Sequence, residues 1–164
     1  MAVKENGLSN SGAEERNPSV LAASRPENKK GVRRLWTLVA GDVVVFLVFA
    51  IIGRRSHGEG AGFQAVLQIA WTALPFLVAW FLIAPFLGAF RRDVLNDPKK
   101  MEAQTLKSWI AAWPLGLLLH FVSKQELPTI STVVSFGLVA LITNALFLSI
   151  WRLPFAFFTR KNDR

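Results

Sequence analysis

Apolar residues fall in long blocks along this chain, not in the one-face stripes of a soluble helix. The blocks cover about residues 35–52, 63–90, 106–122 and 129–151, and short polar segments between them hold much of the charge. Crossing a hydrocarbon core takes about 20 apolar residues in helical form, and the first block, at about 1.5 Å per residue, reaches about 27 Å. Each block therefore predicts a spanning helix. The fold class is all-α: an integral membrane four-helix bundle with a disordered N-terminal tail. The third block is the weakest span, because Lys107 shortens its uncharged part, and a kinked or incompletely spanning helix around Trp113-Pro114 is the alternative. The second block contains Pro75 and Pro85, which free the carbonyls of Trp71 and Phe81 and predict a kink. Pro75 and Pro114 are the candidate hinges.

Residues 1–30 are rich in Asn, Ser, Glu and Pro and cannot bury a core, so a disordered cytoplasmic tail is expected there. Residues 31–158 form the transmembrane domain, and 159–164 a basic C-terminal tail. The chain is 52% apolar and carries a net charge of +8, but its cations border apolar runs and form no stripe with aromatics. That placement points to the lipid bilayer as partner and away from nucleic acid. Four spans put Arg33, Arg34, Arg91, Arg92, Lys99, Lys100, Arg152, Arg160 and Lys161 on one side. Arg54, Arg55 and Lys124 lie on the other. The excess predicts a multi-pass protein of the cell (inner) membrane with both termini cytoplasmic, and a parallel arrangement for any homo-oligomer. Cysteine and tyrosine are both absent, which excludes disulfides and thiolate metal sites. No cofactor is expected.

Asp42 is the outstanding candidate for chemistry, an acid about one residue from the middle of the first apolar run. In hydrocarbon it must be neutralised, hydrogen-bonded or wetted. Depth along the fourth helix nominates Asn144 as its partner, with Thr143 adjacent. A second constellation, Gly53-Arg54-Arg55-Ser56-His57-Gly58, offers two guanidiniums and an imidazole for a phosphate or a carboxylate. Gln64, Gln68 and Thr72 share a helix face, and with His120, Arg55 and His57 they make a candidate outer polar cluster. Two histidines without spaced carboxylates do not make a metal site, so no metal is expected. Trp36, Trp109 and Trp151 fall near the predicted boundary and are read as anchors, whereas Trp71, Trp80 and Trp113 lie deeper.

Trp36 with Gly41-Asp42, Phe49-Ala50 and the segment from Gly53 to Gly58 resembles a bacterial membrane-protein family, domain of unknown function 3054. Pro75-Phe76-Leu77 with Trp80, Trp113-Pro114-Leu115-Gly116 and Trp151-Arg152 extend the likeness. The resemblance implies a multi-helix membrane fold and supplies no activity. It also implies a thylakoid membrane as an alternative location, through the photosynthetic lineages among similar sequences.

These features lead to a non-enzymatic scaffold, assembly or accessory subunit that packs against a membrane-protein partner or forms a parallel homo-oligomer. The loops are too short for a soluble catalytic site, and no nucleophile–base pair has recognisable spacing. On this reading Asp42→Asn, which keeps hydrogen bonding, is tolerated. The alternative is a small oligomeric proton-coupled permease or channel with Asp42 as the protonatable group.

Overall fold

The computed structural model describes residues 18–55, 63–125 and 128–161. Five helices and no strand occur among them: α1 (Pro18–Arg55), α2 (Phe63–Ile83), α3 (Arg92–Leu95), α4 (Pro98–Lys124) and α5 (Ile130–Lys161). Four stretches are long and apolar enough to cross a membrane: Lys29–Gly53, Gln64–Ile83, Pro98–Lys124 and Ile130–Arg160. The chain divides into two units, Met1–Arg34 and Leu35–Arg164. The first contributes the start of α1; the second is the helix bundle that holds the candidate site.

Every helix except α3 is longer or shorter than its apolar block, for identifiable reasons. α1 starts at Pro18, within the stretch expected to be a tail; residues 1–17 lie outside the described residues. α2 ends at Ile83, not at residue 90. Pro85 has no N–H to continue the ladder, and the chain closes through Ala89 N–H to Ala84 O (2.9 Å) and Gly88 N–H to Pro85 O (3.0 Å). Gly88 takes φ +85°, a conformation that glycine adopts without steric cost. α4 starts eight residues before its apolar block because Asp97 caps it, accepting from the backbone N–H of Lys99 (3.0 Å) and Lys100 (3.3 Å). Pro98 at the first helical position suits that start. α4 then runs unbroken past Lys107 and Pro114, and α5 continues past Pro154 to Lys161.

Aromatic packing in the core brings the long helices together. Phe46 of α1 meets Trp80 of α2 and Trp109 of α4, with ring centroids 6.3 and 5.5 Å apart. Phe76 of α2 contacts Phe49 of α1 at 5.9 Å, edge-on. Gly116 lets α4 approach α2 closely, since a Cβ there would lie 2.6 Å from the Phe76 ring. Two indoles tie α4 to α5: Trp109 donates Nε1–H to Leu141 O (2.8 Å) and Trp113 to Gly137 O (2.9 Å). Trp109 is thus fully buried core, not a boundary anchor. The earlier start of α4 places it well inside the helix. Trp36 is exposed and Trp151 half-buried.

Candidate functional site

Gly41-Asp42 on α1 docks against Trp151-Arg152 on α5. Gly41 supplies the space, because a Cβ there would overlap the Trp151 indole. That close approach brings Asp42 and Arg152 together, both with no exposed surface. Arg152 Nε donates to Asp42 Oδ1 at 2.9 Å and Nη2 donates to Oδ2 at 2.5 Å, the bidentate fork that a planar guanidinium makes with a carboxylate. Trp80 of α2 adds a third donor, Nε1–H to Asp42 Oδ2 at 3.1 Å.

The remaining guanidinium nitrogen is engaged as well. Nη1 donates to the Ala89 carbonyl (3.2 Å), in the turn after α2, and to Thr105 Oγ1 of α4 (3.4 Å). The guanidinium carbon lies 4.9 Å from the Trp80 ring centroid and 4.8 Å from that of Phe90. Such cation–π contacts contribute about 2 kcal/mol or more when desolvated. One arginine therefore joins α1, α2, the turn after α2, α4 and α5. Removing one partner of such a buried pair costs about 3–5 kcal/mol, because the other charge is left uncompensated.

Asn144 is not the partner of Asp42. It is fully buried, but its Nδ2 donates to Ala140 O of its own helix (2.9 Å), and its Oδ1 has no partner. Thr143 is half-buried and makes no hydrogen bond to Asp42. The reason is register: Gly41 and Trp151 fix the approach of α1 and α5 two turns further along α5 than depth counting suggested. The tolerance expected for Asp42→Asn falls with that partner, since an amide would leave the Arg152 charge buried without its counter-ion.

The proposed outer cluster fares differently. Gln64 and Gln68 are exposed, whereas His120 is 4% exposed and turned into the core. It stacks on Phe136 at 4.5 Å and on Phe76 at 5.8 Å. His57 and the side chains of Arg54 and Arg55 lie outside the described residues. Of the hinge candidates, Pro75 is buried and Pro114 exposed, and both helices continue through them. Among the described residues no group of three or more His, Cys, Asp or Glu is placed to hold a metal ion.

Sequence reasoning counted Arg152 among the boundary cations and so missed it. The signal is present: Arg152 has apolar sequence on both sides, with Ile150-Trp151 before it and Leu153-Pro154-Phe155 after it. Thr105 and the Ala89 carbonyl carried no such mark.

Four apolar spanning helices closed around a sealed ion pair define a multi-pass α-helical membrane protein. Within that class, the chain belongs to the family described as "Protein of unknown function (DUF3054)", which matches residues 39–155 and so includes Gly41, Asp42, Trp80, Thr105, Trp151 and Arg152. No curated protein and no solved structure matches it.

Proposed function

We propose that the protein is a non-enzymatic accessory or assembly subunit of the membrane, with Asp42 as a structural clamp. The observation that carries this reading is the sealed state of the pair. Both carboxylate oxygens and all three guanidinium nitrogens are engaged, and neither side chain reaches the surface. A proton carrier must exchange with water, which this arrangement opposes. The outward faces support the reading further, with Val44, Val78, Leu82, Leu138, Ile142 and Leu146 all exposed in an apolar array fitted to lipid or to neighbouring helices.

The cation excess supports cytoplasmic termini, with α3 on the same side. Single cysteines at exposed Asn96 and Thr129, introduced into a chain without native thiols, test this by impermeant labelling from each face. Asn96 should react from the cytoplasmic side and Thr129 from the other.

Purification in mild detergent followed by mass spectrometry tests the accessory role. Stoichiometric membrane-protein partners are expected. A clean homo-oligomer with pH-dependent flux in proteoliposomes, lost in a folded Asp42→Asn variant, would establish the permease instead.

A further inference from the structure

Lys107 is an exposed charge on α4 that neither the fold nor the ion pair explains. It lies nine residues past Pro98, about 14 Å along the helix axis. It is exposed on the outward side of the bundle, inside a stretch that qualifies as a membrane span. No described residue pairs with its ammonium group; Arg91–Asp93 and Arg152–Asp42 are ion pairs elsewhere in the bundle. The nearest acid in sequence, Glu102, is turned toward α5, where its Oε1 accepts from Ser149 Oγ at 2.7 Å. An unpaired lysine facing hydrocarbon is costly unless it snorkels to the headgroups or meets a counter-ion.

Its surroundings suit a helix. Ala103 and Ala111, one turn to either side of Lys107, are exposed on the same face, with Pro114 beyond them. Small side chains there permit close backbone approach. At the α3 end the stripe opens into a groove of about 510 Å³ lined by Lys99, Glu102, Ala103, Leu153 and Phe157, room for a large side chain of an incoming helix. Charge sets the identity of the occupant. The acids within this chain's own spans, Asp42 and Glu102, are turned inward, so a second copy offers no exposed carboxylate to meet Lys107.

We infer that the outward face of α4 around Lys107 docks a membrane helix of another protein, one that carries a carboxylate at the depth of Lys107. This names the partner chemistry of the accessory role proposed above and rests on that reading.

The test uses the full chain in phosphatidylcholine vesicles with synthetic Leu/Ala transmembrane peptides bearing a single Glu, Gln or Lys at matching depth, and association is read by fluorescence transfer. The Glu peptide should bind roughly tenfold tighter than the Gln peptide, equivalent to about 1.4 kcal/mol. Lys107→Met should abolish that difference, and Lys107→Glu should transfer the preference to the Lys peptide. Equal binding of Glu and Gln peptides by the unaltered chain overturns the inference and leaves Lys107 a lysine that snorkels to the headgroups. If native partners still copurify in that case, the accessory role survives and only the docking face fails. If none copurify, both fall.

Discussion

Arg152 is held from every side, and its substitutions should report that directly. Arg152→Met removes the charge but leaves Asp42 buried against Trp80, and should lower stability by about 3–5 kcal/mol. Thermal denaturation in mild detergent measures it. Asp42→Asn should cost a similar amount, since the guanidinium then lacks its counter-ion. Trp80→Phe keeps much of the ring packing on Arg152 yet deletes the indole donor; a hydrogen bond to a charged group contributes about 1.5–3 kcal/mol. At Gly41 the effect is steric. Gly41→Ala drives a methyl into the Trp151 indole, so the ring must turn away or α1 and α5 must separate, and either change loosens the approach that seats Asp42 on Arg152 and should lower the melting temperature in mild detergent.

At the scale of elements, the ends of helices decide where the site's parts fall. The turn after α2 presents the Ala89 carbonyl to Arg152 only because Pro85 stops the helix and Gly88 reverses the chain at φ +85°. Gly88→Ala should therefore cost about 1–2 kcal/mol and loosen the Arg152 contact, detectable as faster amide exchange in residues 84–90. Asp97→Ala should remove the cap of α4 for about 1 kcal/mol, with exchange rising at Lys99 and Lys100. These ends also mark what the sequence made legible. Hydropathy located all four spans, because burial in lipid needs only length and apolar content. It placed α4 eight residues late, because Lys99, Lys100 and Glu102 resemble a loop until the Asp97-Pro98 start is recognised. Asp42 stands out as a lone acid among apolar neighbours. Its partner stayed hidden because the pairing of α1 with α5 is a matter of rotation and register. Apolar blocks carry little information about either: Asn144 matched on depth and faces elsewhere.

For the whole molecule, a single neutralised pair sits where the chain would otherwise be hardest to hold together. Lipid tails give helices little hydrophobic reason to associate, so packing and buried polar contacts carry the assembly. The Phe46, Phe76, Trp80 and Trp109 cluster supplies the first, and Asp42 with Arg152 the second. The pair also changes the charge count across the membrane: Arg152 is no longer a free boundary cation, yet Arg91, Arg92, Lys99 and Lys100 keep the α3 side cationic. The claim on which all this depends is that the two charges act as one unit, and a double-mutant cycle measures that most directly. Unfolding free energies of the unaltered chain, Asp42→Leu, Arg152→Met and the double variant should show the double variant more stable than either single one, which requires a coupling larger than either single loss and so above about 3 kcal/mol. Additive losses, with the double variant the least stable of the four, would contradict it.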